Sequence, residues 1–459
     1  MQRLGLTEEE VSLLFDVTSR PLQGMPLADI IGDTVANPQL YLPDLGGGSG
    51  ELSEMLGEFV TLANSTPVGL RVNRAQVLRF AASLGAKRFL ILSGLAGSGK
   101  TKIAQAFARW LAPAVEEGQP AAYALIPVGA DWTGNDYILG YPDGLNEKSY
   151  VTRPALDLIQ RAALPENAGV PHFLILDEMN LSHVERYFAD LLSLIESGES
   201  TELYKPAPDE NGELQLRSNV EPELRLPPNL FIIGTVNVDE TTYMFSPKVL
   251  DRANVIEFRM DRNELVTFLG APCTPDMDRL NGKGSSFGAA FVGEVAKSVT
   301  APSSVRAPFE EEMLLFFDLL RDHDAEFGFR VANEAARFLH FYRLLIGVAD
   351  EATDWFDAAM DAIIVQKFLP KLHGSRPKLE GLLWALAWAC GGERAGLDQT
   401  AFLARCREAG GMKEETRLGP EAVERLLAGR VARYQLSFDK VMRMWRKLIR
   451  DQFVTFSEA

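Results

Sequence analysis

Cysteine is scarce in this sequence, and long apolar runs are absent from it. The three cysteines, Cys273, Cys390 and Cys406, have neither CxxC spacing nor histidines nearby. This pattern argues against a disulfide framework and against a cysteine-ligated metal site. No stretch of about 18 or more apolar residues occurs, which predicts that no segment spans a bilayer. The N-terminal residues also lack the basic-then-apolar order of a secretory signal. We therefore expect a cytoplasmic protein with buried or idle thiols.

Positive charge is also in short supply. The sequence holds 46 lysine and arginine residues against 63 aspartate and glutamate residues, which gives a formal net charge of −17. Proteins that coat nucleic acid by themselves usually present a basic face, because the phosphate backbone supplies most of the non-specific affinity. The charge balance argues against that role for the chain as a whole. It leaves a local basic ring or loop open.

The spacing of apolar residues divides the chain into three parts. Residues 1–65 predict a small, helical N-terminal segment with a glycine-rich joint at residues 45–54. Residues 66–260 alternate short β-rich runs with helical stretches, which favours an α/β domain with a doubly wound, parallel five-stranded sheet. The predicted strands are residues 89–92, 123–128, 173–176, 231–233 and 255–258. Residues 261–459 have apolar residues at three- and four-residue spacing, which predicts helices.

The run FLILSGLAGSGKTKIAQAFARWL contains the spacing GxxxxGKT between a predicted buried strand and an amphipathic helix. Glycines at this place let a loop curl so that its N–H groups face phosphate oxygens. We expect Lys100 to reach the β- and γ-phosphates of a nucleotide and the Thr101 hydroxyl to ligate Mg²⁺. A glycine-rich turn that matches by chance is the alternative. The predicted nucleotide-binding residues are Gly94, Leu95, Ala96, Gly97, Ser98, Gly99, Lys100 and Thr101.

Two adjacent acids end the third predicted strand, in the run FLILDEMN. Four apolar residues place Asp177 and Glu178 at the carboxyl end of that strand, beside the phosphate loop. We expect Asp177 to hold Mg²⁺ through its water shell and Glu178 to orient and deprotonate the attacking water. Two acids that cap the next helix would look similar. The place of this pair after a phosphate loop favours the catalytic interpretation.

Three further polar residues resemble the catalytic set of AAA+ proteins. Asn237 ends the fourth predicted strand, where such proteins carry the sensor 1 residue that contacts the γ-phosphate and the attacking water. Arg252 follows a short predicted helix, where AAA+ subunits usually carry an arginine finger for the neighbour's nucleotide. Arg330 begins a helix in the expected lid and is a candidate for sensor 2. The respective alternatives are a loop-capping asparagine, a surface salt bridge and a structural ion pair.

Longer segments resemble a narrower family. The runs GLAGSGKT, DWTGNDYILGY, LILDEMNLSHVERYFADLLSLIE and IIGTVNVDETTYMFSPKVLDRANVIEF look like the AAA+ motor subunit of McrBC-type modification-dependent restriction systems. The runs FGFRVANEAARF, QKFLPKLHGSRPKLE and LSFDKVMRMWRKLIRDQFVTF look like the lid and tail of McrB-like proteins. Many unrelated nucleoside triphosphatases share the phosphate loop and the acid pair. DWTGNDYILGY and KFLPKLHGSR are much narrower signals.

The resemblance implies a hexameric ring with nucleotide between its subunits and Mg²⁺ as cofactor. It also implies a nuclease partner of the McrC kind, with DNA reached through that partner or the assembled complex. McrB-like proteins hydrolyse GTP, and their sensor segment usually reads like MNTADRS. This chain has VNVDETT instead, with Glu240 and Thr241 where the aspartate and arginine would fall, so the choice between ATP and GTP stays open. Members that recognise methylated DNA carry a longer N-terminal domain than residues 1–65, so we expect either that recognition lies on a partner chain or that this protein recognises something else.

Other functional classes share these motifs. A MoxR-like remodelling chaperone would use the same nucleotide-hydrolysing domain on a protein client. Stimulation of hydrolysis by such a client would distinguish it from a motor that drives a nuclease. A scaffold that binds nucleotide without turnover is disfavoured, because all the polar residues expected for hydrolysis are present. The acids of this chain show no pattern typical of a nuclease. The sequence therefore predicts a motor that acts on a partner.

Overall fold

The computed structural model describes residues 49–115, 117–146, 148–208, 214–218, 220–238, 243–260, 262–270, 272–391, 399–410, 419–427, 431–457 and 459. They belong to one compact unit, Gly46–Ala459. Predictions on residues 1–48, and the departures at Glu240 and Thr241, lie outside the described residues. The division of the chain at residues 65 and 260 stays a prediction.

Five strands form the central sheet. They are β1 (Phe89–Gly94), β2 (Tyr123–Pro127), β3 (His172–Asp177), β4 (Leu230–Asn237) and β5 (Asn254–Phe258). Their order is β5-β1-β4-β3-β2, and every neighbouring pair is parallel. All residues of β1 and β4 are buried, which explains their continuous apolar runs. The prediction of a parallel five-stranded sheet is confirmed.

Helices make up most of the remaining described chain. They are α1 (Ser49–Ala63), α2 (Arg74–Ala86), α3 (Lys100–Leu111), α4 (Pro154–Ala162), α5 (Val184–Tyr187), α6 (Ala189–Ser197), α7 (Pro247–Leu250), α8 (Arg262–Gly270), α9 (Gly288–Ala296), α10 (Arg306–Arg321), α11 (Phe329–Ile346), α12 (Phe356–Ile363), α13 (Arg376–Gly391), α14 (Gln399–Gly410), α15 (Pro420–Leu426) and α16 (Gln435–Asp451). A π-helical turn, Ile364–Phe368, continues α12. The described part of residues 261–459 is therefore mainly helical, as predicted.

Short antiparallel strand pairs lie outside the central five-stranded sheet. They are Tyr141–Pro142 with Tyr150–Val151, Thr201–Glu202 with Glu223–Leu224, Ala207–Pro208 with Leu214–Gln215, and His373–Ser375 with Phe453–Thr455.

No helix in the described ranges is long and apolar enough to cross a membrane. Of the three cysteines, Cys273 is exposed while Cys390 and Cys406 are buried, and none forms a disulfide within the described residues.

Helix α1 corrects one prediction. It begins at Ser49, so the glycine-rich joint predicted over residues 45–54 is helical from that residue onward. The reason is an apolar stripe at three- and four-residue spacing, because Leu52, Met55, Leu56 and Phe59 are all buried. Burial of this stripe against the core outweighs the low helix propensity of Gly50.

Aromatic side chains anchor α3, the helix that follows the phosphate loop. Phe107 of α3 contacts Phe59 of α1 and Phe80 of α2, each with ring centroids 5.2 Å apart. The same ring meets Phe173 of β3 at 6.1 Å and Phe291 of α9 at 6.4 Å. Edge-to-face contacts of this kind add to the stability that burial provides. They fix α3, and thereby its N-terminus, against the sheet.

Candidate functional site

The loop between β1 and α3 depends on its glycines. Gly97 and Gly99 adopt left-handed backbone angles, with φ of 76° and 89°, which are costly for residues with a side chain. Gly94 closes β1 against β5, and a Cβ there would collide with the carbonyl oxygen of Phe258. These glycines let the chain turn sharply from β1 into α3.

Lys100 stands inside this loop. Its side chain is buried, and its Nζ donates hydrogen bonds to the carbonyl oxygens of Gly94 at 2.9 Å and Leu95 at 2.6 Å, and to Ser98 Oγ at 3.3 Å. Gly99 is the N-cap of α3 and offers no side-chain cap, so the first amides of the helix are available to an anion. The ammonium group and the helix N-terminus together form a phosphate-binding arrangement.

Asp177 accepts hydrogen bonds from two hydroxyl groups at the carboxyl edge of the sheet. Its Oδ1 accepts one hydrogen bond from Thr101 Oγ1 and another from Thr235 Oγ1, each at 2.7 Å. The strand order explains the contact, because β4 lies between β1 and β3 and brings Thr235 next to the end of β3. Asp177, which ends β3, thus joins the phosphate loop to the neighbouring strand.

These oxygens fit Mg²⁺. Hydroxyl and carboxylate oxygens are hard ligands, and Mg²⁺ usually takes only one or two protein oxygens and completes its shell with phosphates and water. Thr101 Oγ1 and Asp177 Oδ1 lie 2.7 Å apart and can supply such a partial set. Among the described residues, no group of three or more histidines, cysteines or acids could hold a metal on protein ligands alone. The site is suited to a metal that arrives with a phosphate ligand.

Glu178 is held in an unusual conformation beside Asp177. Its backbone is left-handed, with φ of 54°, although it carries a side chain. Its N–H donates to Thr235 Oγ1 at 3.0 Å, and its Oε1 accepts a hydrogen bond from Asn237 Nδ2 at 2.9 Å. Strained backbone of this kind persists where the surroundings over-determine it and is common at active sites. The Glu178 carboxylate is therefore oriented by Asn237 of β4 and not by a residue of β3.

The two predicted arginines lie together, away from these contacts. Arg252 and Arg330 both pair with Glu196 of α6, with Arg330 Nη1 2.8 Å from Glu196 Oε1. Arg252 Nη1 also donates to the carbonyl oxygen of Lys248 at 2.7 Å, and Arg330 Nη2 lies 3.8 Å from Asp251 Oδ2. Burial, followed by the nearby charge of Arg330, lowers the pKa of Arg252. The finger and sensor 2 roles stay predictions.

The segment DWTGNDYILGY, residues 131–141, contacts the turn that follows the acid pair. Ser182 Oγ donates to the carbonyl oxygen of Trp132 at 2.6 Å, and Val128 N–H donates to the carbonyl oxygen of Asp177 at 3.0 Å. The Trp132 ring stacks on Tyr137 with centroids 5.5 Å apart. The contact between Trp132 and Ser182 therefore brings the segment DWTGNDYILGY close to the residues that follow the acid pair.

Sequence reasoning missed Thr235 and Glu196. A signal for Thr235 exists, because it is a polar residue within the apolar run LFIIGTVN and is 1% exposed; buried hydroxyls need partners. Glu196 carries no comparable signal, since it is one of two acids on α6 and nothing in the sequence sets it apart. Its meeting with two arginines depends on the packing of three separate elements.

The chain is similar to one described family over part of its length and to solved structures over more of it. Residues 290–453 match the family described as "Domain of unknown function (DUF8727)". No curated protein matches the chain. Among solved structures, the chain is similar to a "putative ATPase" from Cytophaga hutchinsonii, with a TM-score of 0.45 and 12% identity over 74% of this chain and 90% of that chain. The matched family segment begins within α9 and therefore covers the helical part, after the strands that carry the site.

Proposed function

We propose that this chain is an AAA+ nucleoside triphosphatase that hydrolyses ATP or GTP with Mg²⁺. One observation carries the proposal. Thr101, Asp177, Thr235, Glu178 and Asn237 form one hydrogen-bonded set at the edge of the sheet, in which the Glu178 backbone N–H donates to the Thr235 hydroxyl and the other bonds join side chains. This set contains a hydroxyl and a carboxylate for a metal and a second carboxylate for a water. It lies beside a lysine-containing phosphate loop, so binding and hydrolysis can occur at one place.

The residues suggest the order of events. Lys100 and the N-terminus of α3 bind the β- and γ-phosphates. Thr101 and Asp177 would hold Mg²⁺, which would supply charge neutralisation on the phosphate oxygens. The Glu178 carboxylate then accepts a proton from a water whose oxygen forms a bond to the γ-phosphorus, while the bond to the β–γ bridging oxygen breaks. Asn237 holds Glu178 through its amide and can contact the γ-phosphate.

We infer that the chain has a doubly wound AAA+ domain and a helical lid and that it assembles into a hexameric ring. Arg252 and Arg330 both pair with Glu196, so they can serve a different subunit's nucleotide once this pairing is exchanged for the phosphate. Phe329, next to Arg330, is 97% exposed. A large exposed aromatic beside two arginines is typical of interface anchors. In this proposal each nucleotide lies between one subunit's loop and the next subunit's arginines.

We also propose that the ring is a cytoplasmic McrB-like motor for an McrC-like nuclease, with DNA bound through that partner or the complex. The proposal rests on DWTGNDYILGY, which contacts Ser182 just after the acid pair, and on QKFLPKLHGSR, whose lysines contact the segment around Arg252. The MoxR-like remodelling chaperone is the alternative. The partner that stimulates hydrolysis decides between the two.

Two substitutions test the hydrolysis site. Glu178→Gln keeps the shape but cannot accept the proton, so we expect turnover to fall by about 10²–10⁴-fold with nucleotide affinity retained. Lys100→Ala removes the charge paired with the phosphates and should weaken affinity itself. Phosphate release with ATP and GTP side by side measures turnover, and titration with fluorescent nucleotide measures affinity.

A matched control is Glu380→Gln, which changes a buried glutamate paired with Arg376 in α13. It should leave turnover unchanged. Turnover of Glu178→Gln at the rate of the parent protein would remove Glu178 from the mechanism. Unchanged affinity in Lys100→Ala would show that the phosphate loop has been misassigned.

A further inference from the structure

The main chain around Arg252 is held by two lysines from elsewhere in the fold. Lys87, which follows α2, donates from Nζ to the carbonyl oxygen of Asp251 at 3.3 Å. Lys367 donates from Nζ to the carbonyl oxygen of Ala253 at 2.8 Å. The two carbonyls stand immediately before and after Arg252. The peptide groups on both sides of this residue are therefore fixed from outside its own segment.

Both lysines pair with one carboxylate, that of Glu334. The three side chains are nearly buried, with 10%, 4% and 11% of the Lys87, Lys367 and Glu334 side chains exposed. Burial lowers the pKa of Lys367 to about 7. Burial also raises the pKa of Glu334, but the two lysines outweigh it and hold that pKa below its ordinary value. Burying ionic groups costs free energy, so such a triad contributes little to stability relative to an apolar replacement.

The placement of the triad connects it to the arginine pair. Glu334 lies on α11, one turn after Arg330, so the same helix face carries both residues. Lys367 belongs to the π-helical turn Ile364–Phe368, and such turns are frequent at functional sites. Lys371, just beyond that turn, pairs with the Asp251 side chain. Three distant segments thus converge on residues 251–253.

We propose that Lys87, Glu334 and Lys367 are positioning residues that fix the backbone of Arg252 for its work on a neighbouring subunit's nucleotide. This inference rests on the proposed function, in which Arg252 meets the transferring phosphate. An arginine side chain is long and flexible, so its reach is defined only if its backbone is. A misplacement of about 1 Å at a reacting centre can cost about 10²-fold in rate. The triad provides the required rigidity without touching the nucleotide.

Lys367→Met tests the proposal by removing one donor while keeping the length of the side chain. We expect kcat to fall by about 10–10²-fold with KM unchanged, because only placement of the arginine in the transition state is lost. The matched control is Lys440→Met in α16. Lys440 is also buried, pairs with Glu257 and donates to a carbonyl oxygen, but at another place. It should lose comparable stability in urea and retain its kcat; an equal loss of kcat in both variants would overturn the proposal.

Subunit mixing separates this role from general damage. Lys367→Met and Arg252→Ala are each mixed with Lys100→Ala, after exchange of labelled subunits is shown. A Lys100→Ala subunit has an intact arginine and can serve the intact phosphate loop of either variant, so both mixtures should regain activity. Recovery with Arg252→Ala but not with Lys367→Met would overturn the positioning role. Recovery with neither would count against a finger in trans, which belongs to the proposed function.

A spin label decides the positioning role without any hydrolysis. A nitroxide is attached to Lys248→Cys, an exposed site whose carbonyl oxygen accepts the Arg252 hydrogen bond, with Cys273→Ser removing the exposed thiol. Lys367→Met should make the label more mobile, and Lys440→Met should not. An unchanged spectrum in Lys367→Met would overturn the proposal. If the parent protein hydrolyses neither nucleotide, the proposed function fails while this measurement still decides the role of the triad.

Discussion

At the scale of single residues, the candidate site depends on hydrogen bonds that side chains of β4 make to the acids at the end of β3. Thr235 of β4 donates to Asp177 and accepts from the Glu178 N–H, so a single hydroxyl contacts both acids that end β3. Asn237, two residues later on β4, holds the Glu178 carboxylate. The left-handed backbone of Glu178 needs this support, because it is unfavourable for a residue with a side chain. The positions of both acids therefore depend on the neighbouring strand.

Thr235→Val tests this dependence. The substitution keeps the shape, removes one donor to Asp177 and leaves the Glu178 N–H without its partner. An unsatisfied buried group costs about 1–3 kcal/mol, and displacement of Glu178 should lower kcat by about tenfold or more. Urea denaturation and phosphate release measure the two effects.

Thr235→Ser is the control for this variant, because it restores the hydroxyl and removes only a methyl group. We expect it to recover most of the lost turnover. If the valine and serine variants hydrolyse nucleotide equally fast, the hydroxyl of Thr235 has no part in the reaction.

At the scale of elements, the phosphate loop is a short connection that two secondary structures hold in place. Helix α3 is anchored by Phe107 in an aromatic cluster, and β1 is paired on both sides. At Gly94, the last residue of β1, a side chain would collide with the main chain of β5. The loop is therefore shaped by the packing of its neighbours as much as by its own glycines.

Gly94→Ala should displace the phosphate loop at the point where it leaves β1. The added methyl group meets the carbonyl oxygen of Phe258, a backbone atom that cannot rotate away. Overpacking of this kind costs about 1–3 kcal/mol of unfolding free energy, and movement of the loop should weaken nucleotide binding by about tenfold. Urea denaturation and nucleotide titration provide the measurements.

The matched variant is Gly57→Ala, the same chemical change within α1, where no atom lies within 4 Å of the new methyl group. Alanine is favoured over glycine in a helix by about 0.5–1 kcal/mol, so this variant should be more stable with unchanged affinity. Nucleotide binding by Gly94→Ala at parental affinity would contradict the view that contact with β5 sets the loop.

At the scale of the whole molecule, the two arginines are already engaged. Both pair with Glu196 within the chain, so their use on a second subunit requires that this contact be loosened. Helix α11 and the π-helical turn bind the segment around Arg252 to the helical region. A partner that shifts this region can therefore change the availability of the arginines.

We accordingly expect the isolated chain to hydrolyse nucleotide slowly and to respond to a partner. A coupling free energy of about 1–3 kcal/mol corresponds to stimulation of about 5–150-fold. Turnover is measured with and without the products of neighbouring genes, with DNA present, and separately with candidate protein clients. The Glu178→Gln variant under the same additions serves to subtract phosphate released by other enzymes.

The identity of the stimulating partner distinguishes the two motor hypotheses. Stimulation by a nuclease together with DNA supports the McrB-like motor. Stimulation by a protein client alone supports the remodelling chaperone. Equal rates under every condition would contradict a partner-driven ring and favour a self-sufficient enzyme.

Local patterns in the sequence were enough to predict the sheet and to indicate that the candidate site residues lie at one of its edges. Each buried strand is a continuous apolar run, and the loop needs glycines, a lysine and a threonine at fixed spacing. Asp177 and Asn237 each end such a run, so their place at one edge follows from the parallel arrangement alone. The helical region after residue 260 was predicted in the same way, from spacing along a single helix face.

Only the tertiary structure decided which distant residues meet. Thr235 reaches Asp177 because β4 lies beside β3 in the strand order, and the run LFIIGTVN does not contain that order. Glu196 joins two arginines, and Glu334 joins two lysines, because helices from separate parts of the chain pack together. Residues 49–54 are helical because their apolar stripe finds a core to cover. The physical reason is common to all three: burial and pairing depend on neighbours in space, which spacing along the chain does not specify.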